Sequence, residues 1–451
     1  MKTDSDDPPK LCKAPLFYRQ WEIIRDPSRF INVLIKEFGD FIYYRGVINF
    51  YLINNASLIK KVLNETHRNF DKNTVIYNRF RNAFGNGLVT AEGAHWRRQR
   101  KLIQPSFRPK LIEGFSQIML SSSNRTIERW DDFCKFKTTF NLTKEMNMLT
   151  LEIAGKSLLS DGFNSAAKDI IRWTHVINKY SAGIPFPIIS RKWFPSPLNF
   201  KLRRALREYR SFISKTIEAR KGNDQGEDLL SVFLSMRDEK TGQGMDEDEI
   251  AEEVLGVIVG GQETSATALV WTLYELSLNA DVEEKLLNEI MNVTSGEQID
   301  FSKIGGLKYL KMVIQESMRL HPPFWFENRN AMHDVELGGV RIQKGSMIAI
   351  SRYALHRNTD YWDDPETFNP NRFDEESSRE NSGADSFAYQ PFSSGPRVCI
   401  GRHFAMMEMM IILCSILQKY KLRVDPHYKH KVATNLTMEP KGGLPVILEK
   451  R

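Results

Sequence analysis

The chain has 451 residues, 41% of them hydrophobic and 26% charged, and a formal net charge of +7. A substantial buried core follows from that length and hydrophobic content, which excludes a disordered tail and a small disulfide scaffold. Its 63 basic residues are interleaved with 56 acidic ones, so the charge does not read as a nucleic-acid-binding tail.

In chain order, residues 1–26 form a polar, proline-containing segment whose first ten residues are too polar for a signal peptide. No run approaches the roughly 18 consecutive apolar residues of a membrane span. A cytoplasmic protein is the simplest expectation, although such a start reads equally as a chain from which an anchor was removed. Residues 27–451 are expected to form one domain. From Phe41 to Leu52, aromatic and β-branched residues alternate around Gly46, which predicts a hairpin. Gly85-Asn-Gly87-Leu-Val89-Thr90 precedes a basic stretch holding Trp96, Arg97, Arg98, Arg100 and Lys101, with Arg108 and Lys110 beyond it. That cluster is either a solvated helix face or a docking patch for an acidic protein. No proline occurs between Pro197 and Pro322, and apolar residues recur at helical spacing from Ile250 to Leu278. Asp246-Glu-Asp-Glu puts acidic residues where that long helix begins. Strand-like segments return at Val335–Ile350 and Asn435–Leu448, and Asn371–Ser386 reads as a meandering loop. The whole is mainly α with a small β subdomain.

Three constellations carry chemistry. Phe392-Ser-Ser-Gly395-Pro-Arg397-Val-Cys399-Ile-Gly401 fixes five residue types at set spacing, a match expected by chance less than about once in a thousand chains at average residue usage. It reads as a loop that presents one sulfur to a metal and then opens a helix. Gly395 permits a tight turn, Arg397 offers a fork for a carboxylate, and Gly401 allows backbone to approach a flat ligand. The other cysteines, Cys12, Cys134 and Cys414, make no C-x-x-C pair with it, so neither a zinc site nor covalent haem attachment through thioethers is indicated. Within the long helix, Gly260-Gly261 leaves room against a flat cofactor, and the adjacent acid and alcohol, Glu263 and Thr264, suit relay of protons through water. Glu316 and Arg319 stand three apart on one helix face and can pair.

Together these residues resemble the cytochrome P450 family, from about Pro27 to the C-terminus. The cysteine loop matches its Phe-x-x-Gly-x-Arg-x-Cys-x-Gly signature, Gly260–Thr264 its oxygen-activation motif, and Glu316-x-x-Arg319 with Pro370-x-Arg372-Phe373 its buried structural network. The resemblance implies a P450 fold, with non-covalent haem b between the long central helix and the cysteine-ligand loop, and Cys399 as the axial thiolate. It implies that Trp96 and Arg100, in the Trp-x-x-x-Arg pattern, hold a haem propionate, with Lys72 and Arg329 as further partners. The Gly85–Thr90 stretch is most similar to bacterial and animal fatty-acid hydroxylases. This chain has Val47 where the bacterial enzymes carry a carboxylate-gripping arginine, although Tyr51 is retained, and Gly260 where the animal branch carries a haem-esterifying glutamate. Pocket walls are expected at Val89, Tyr51, Leu255, Phe324, Phe326 and Leu436, for a fatty acid, alkane or terpenoid-like substrate. The resemblance further implies a monomeric monooxygenase that uses O2 and two electrons from a separate ferredoxin- or flavodoxin-type donor, itself acidic. A peroxide-driven or isomerising enzyme, and a haem sensor or carrier, stay open as alternatives.

Overall fold

The computed structural model describes residues 10–160, 162–182, 194–220, 228–374 and 387–451. Most of the Asn371–Ser386 stretch lies outside the described residues; its start, Pro370–Phe373, is a turn of 3-10 helix. Among the described residues no helix is long and apolar enough to cross a membrane.

One helix organises the rest. Glu247–Leu278 runs for 32 residues, and its start is set by a capping box. The Asp246 side chain accepts from the Glu249 N–H at 2.8 Å, while the Glu249 carboxylate accepts from the Asp246 N–H at 3.0 Å. Two of the orphan donors of the first turn are thereby satisfied, and three acidic residues complement the dipole. From Leu255 to Leu276 most of its side chains are buried, because helices pack around it on several sides. Leu142–Leu159 makes the most extensive of these contacts, and Lys308–Leu320, Arg402–Lys419 and Pro197–Arg220 add to them.

The β part is one mixed sheet with smaller ribbons beside it. Its strands are β1 (Cys12–Lys13), β2 (Phe41–Tyr44), β3 (Phe50–Ile53), β4 (Phe70–Asp71), β5 (Phe326–Ala331) and β6 (Met347–Ser351), in the spatial order β1-β2-β3-β6-β5-β4. The expected hairpin is β2–β3, with Phe41 opposite Ile53 and Tyr44 opposite Phe50. β1 shows that the N-terminal segment joins this sheet, Cys12 pairing with Ile42. The Val335–Ile350 segment resolves into a small ribbon, Val335–Leu337 against Val340–Ile342, followed by β6. β5 was not legible as a strand, because Phe-Glu-Asn-Arg-Asn-Ala carries four polar residues in six. Its antiparallel partners on either side, β6 and β4, set Arg329 opposite Ile348 and Asp71 opposite Asn330. Lys72 directly follows β4, so pairing of distant segments puts it near Arg329.

Behind the cysteine loop, Glu316 and Arg319 are both completely buried. Arg319 holds the carboxylate through two bonds of 2.7 and 2.9 Å and donates to the carbonyls of His356, Pro365 and Thr367. Arg372 reaches the same carboxylate at 3.3 Å, and the Asn369 N–H does so at 2.8 Å. A charge pair at this depth is viable only because the remaining donors and lone pairs find such partners.

Candidate functional site

The cysteine loop is shaped by its glycine. Gly395 has φ +67°, and a Cβ there would collide with the carbonyl of Leu63, so both backbone conformation and packing demand glycine. The Cys399 N–H donates to the Phe392 carbonyl at 2.9 Å and Val398 N–H to Gly395 at 3.1 Å. Phe392 packs against the helical core. Ser393, at φ +61°, donates to Glu327 of β5 at 2.9 Å and so ties the loop to the sheet. Cys399 is exposed, yet burial still dominates its surroundings and pushes the thiol up. Its sulfur therefore faces a cleft inside the protein. The Gly401 N–H, Arg100, Arg402 and Arg352 oppose that push and favour the thiolate. Among the described residues, nothing lies within 4 Å of where a Gly401 Cβ would stand.

The central helix presents Gly256, Gly260 and Thr264 one turn apart on a single face. A Cβ on Gly256 would meet Val89 at 3.7 Å, one on Gly260 would meet nothing among the described residues, and Thr264 is half-buried, its hydroxyl donating to the Gly260 carbonyl at 2.5 Å. Gly261 is the exception to the expected glycine pair. It faces Ala154 of the neighbouring helix, where a Cβ would sit 3.8 Å away, because one residue turns a helix by about 100°. Glu263 is likewise on another side of the helix from Thr264. Its carboxyl is buried, accepts from Thr437 Oγ1 at 2.6 Å, and is raised in pKa chiefly by desolvation. The acid and alcohol, adjacent in sequence, are not hydrogen-bonded to each other.

The expected propionate partners do converge. Arg397 stacks on Trp96 with 3.8 Å from guanidinium to ring centroid, and Arg100 donates to the Val398 carbonyl at 3.0 Å. Lys72 donates from Nζ to the Val89 carbonyl at 2.8 Å, and Arg329 pairs with Glu327 at 2.5 Å. Glu327 also pairs with Arg352, and Arg397 with Glu92 at 2.6 Å. Five cationic side chains, Lys72, Arg100, Arg329, Arg352 and Arg397, thus share a desolvated region with two carboxylates, Glu92 and Glu327. Desolvation together with Arg329 and Arg397 lowers Lys72 to about 7, while its cationic neighbours hold Glu327 at about 2 despite burial. Such an excess of buried positive charge suits a dianionic group, and the Cys399 sulfur together with the open space beside Gly260 and Gly401 suits a flat, metal-bearing one. The residues present fit haem. Glu92, Glu327, Arg352 and Ser393 were not singled out from sequence; none has a motif, and only folding brings them together.

Tyr51 and Leu255, both expected at the pocket, are packed against other side chains. Strand alternation puts Tyr51 on the sheet face away from Leu52, with its ring on Tyr43 at 4.5 Å and against the cluster around Phe41. Leu255 is packed in the helical core, and its neighbour Gly256 is the position that meets Val89. Val89, Phe324, Phe326 and Leu436 keep part of their surface open. Phe326 joins Trp325, Ile76 and Met438, and Leu436 sits on the turn between strands Val432–Thr434 and Met438–Pro440.

The cytochrome P450 family model matches residues 8–445. The chain is 31% identical to cyclooctat-9-en-7-ol 5-monooxygenase of Streptomyces melanosporofaciens, over 92% of this chain and 89% of that protein. It is 30% identical to pentalenene oxygenase of Streptomyces avermitilis over 92% and 90%, and 27% identical to human cytochrome P450 4F8 over 86% and 79%. Among solved structures, the cytochrome P450DA heme domain superposes with a TM-score of 0.84 at 23% identity, covering 98% of this chain and 97% of that one.

Proposed function

Since the chain belongs to the cytochrome P450 family, whose members are oxidoreductases holding haem b on a cysteine thiolate, we propose that Cys399 is that ligand and that the protein hydroxylates a lipophilic substrate. The observation that carries this reading is the combination of one desolvated sulfur that takes the Gly401 amide, open space beside Gly260, and surplus cations nearby. When bound, haem supplies activation of O2 with two electrons for insertion into a C–H bond. The chain's own residues have separate tasks. The Gly401 amide and Arg100 stabilise the thiolate. Lys72, Arg100, Arg329, Arg397 and the Trp96 indole hold the propionates, and Phe392 backs the ligand loop. Thr264 keeps its hydroxyl at the cleft by donating to Gly260, where it holds a water and passes a proton from it. Glu263 supplies protons less directly, through the Thr437 side.

Partly open Val89, Phe324, Phe326 and Leu436 support an apolar substrate. Relatives named for oxygenating cyclooctat-9-en-7-ol and pentalenene favour a compact hydrocarbon-like skeleton over a carboxylate-anchored chain, and so does the outward exposure of Val47 at the hairpin. Members of the family act with a redox partner. A separate ferredoxin- or flavodoxin-type donor, and a monomeric cytoplasmic enzyme, rest on the motif resemblance. The test is spectroscopic and needs no donor. Titrating the haem protein with a lipophilic library is expected to give low-to-high-spin shifts, and Cys399→His is expected to abolish the long-wavelength band of the ferrous carbon monoxide complex. A thiolate-type band in that variant, or no shift with any compound, overturns the reading.

A further inference from the structure

The loop of residues 85–92, which carries Val89 against the central helix at Gly256, is pinned at both ends by different means. At its far end Lys72 donates to the Val89 carbonyl at 2.8 Å, Arg81 to Thr90 at 3.0 Å, and Arg397 to Ala91 at 2.8 Å. Of these donors, Lys72 and Arg397 belong to the charged region proposed to hold the cofactor. At its near end two consecutive glutamates of the central helix reach up and take the loop's backbone amides. Glu252 accepts from the Asn86 N–H at 2.8 Å, and Glu253 from the Leu88 N–H at 2.8 Å. The loop is built for this approach. A Cβ on Gly85 would collide with the Glu252 carboxyl, and one on Gly87 would stand 3.2 Å from the Glu252 carbonyl and 3.3 Å from the Glu253 carboxyl.

The two glutamates differ. Glu252 is half-buried and also pairs with Arg210 of the helix Pro197–Arg220 at 3.3 Å, so its charge is neutralised at the surface. Glu253 is only 3% exposed, and among the described residues no cation pairs with it. An acidic side chain placed in that interior without a counter-charge costs stability, and what it gains in return is the Leu88 amide. Leu88 is followed by Val89, whose side chain lies against Gly256, three residues along the helix from Glu253 and one turn before Gly260. Fixing the Leu88 amide therefore fixes the height of Val89 above the helix face where substrate must lie.

We propose that Glu253 is a positioning residue for substrate: by holding the Leu88 amide it sets where Val89 stands over the cleft, and so which carbon of a bound lipophile is presented for hydroxylation. This rests on the monooxygenase reading of the cleft. Glu253 touches neither substrate nor cofactor; it acts through the loop.

The experiment compares wild type, Glu253→Leu and Glu253→Gln as haem-loaded proteins. Glutamine keeps an acceptor oxygen and leucine does not. In Glu253→Leu, hydrogen exchange at the amides of residues 86–89 is expected to rise about tenfold, the loss of one buried hydrogen bond. The ratio of hydroxylation isomers from a ligand found by spin shift is expected to change with it, and Glu253→Gln is expected to restore both. Gly87→Ala attacks the same contact from the loop side with Glu253 intact. It is expected to change the isomer ratio in the same direction, and it carries the test if Glu253→Leu does not fold. Unchanged exchange, or raised exchange with an unchanged isomer ratio, overturns the positioning role. Failure of the underlying reading looks different: wild type itself then gives no spin shift with any lipophile, and both proposals fall together.

Discussion

Thr264, on the central helix, and Glu408, on the helix Arg402–Lys419, are polar residues in opposite surroundings. Among the described residues the half-buried Thr264 hydroxyl is bonded to its own helix alone, so it is free to exchange that bond for a water. Thr264→Ala is expected to leave ligand spin shifts intact while product per NAD(P)H falls and peroxide rises. The loss of one positioned proton donor is worth about 10²–10⁴ in the step it serves. Measuring product, peroxide and reductant together checks this, and unchanged coupling would assign the relay to ordered water without the hydroxyl. Glu408, by contrast, lies in the helix Arg402–Lys419 with 1% exposure, near the hydroxyl of Ser265, and neither carboxyl oxygen is hydrogen-bonded among the described residues. Burial raises it to about 8. In the unfolded chain a glutamate loses its proton near about 4.3. Between those values the unfolded state binds fewer protons than the folded one, so stability falls as pH rises from about 4 to 8. Glu408→Gln removes that slope. Its melting temperature relative to wild type is expected to climb from pH 5 to pH 8, and a gap independent of pH would show that Glu408 is not protonated in the folded protein.

At the scale of elements, the basic helix Gly93–Ile103 divides its charges by face. Arg100 turns inward to the cysteine loop. Arg98 is tied to Glu249 and the Gly244 carbonyl, which removes it from the docking set expected from sequence. Lys101 pairs with Glu239, but both are exposed and such pairs are weak. Arg97, Arg108 and Lys110 stay exposed beside this helix. Neutralising those three is expected to slow first-electron reduction by an acidic donor severalfold at low salt and little at high salt. Arg98→Gln is expected to change thermal stability without that salt dependence. Stopped-flow reduction across ionic strengths decides it, and equal slowing at all salt concentrations argues against electrostatic docking.

The whole molecule shows which relations a sequence displays. Glu316 with Arg319, and Cys399 with Gly395, are legible because each depends on local spacing that folding preserves. A shift of a single residue changes which face is presented, and sequence alone does not fix that phase. Tyr51 is one step along a strand from Leu52, Leu255 one step along a helix from Gly256, and Gly261 one step from Gly260; each step exchanges one face for another. Glu253 and Glu327 were beyond reach for a different reason. Their partners lie 165 and 66 positions away, at Leu88 and Ser393, and no periodicity encodes such pairings.

That long-range convergence has a thermodynamic consequence. Lys72, Arg329 and Arg397 come from three remote parts of the chain and repel one another once assembled. Folding without the cofactor therefore works against their mutual repulsion; on the proposal that they hold the propionates, haem is counter-ion as well as reagent and adds to stability whatever it gains by binding the native state alone. Multivalent anions are expected to substitute in part. In cofactor-free protein, phosphate or pyrophosphate is expected to raise the melting temperature by several degrees more than chloride at equal ionic strength, whereas haem-loaded protein treats the salts alike. Calorimetry of the two forms reads the difference, and an equal response of both forms would place the neutralising charge elsewhere in the chain.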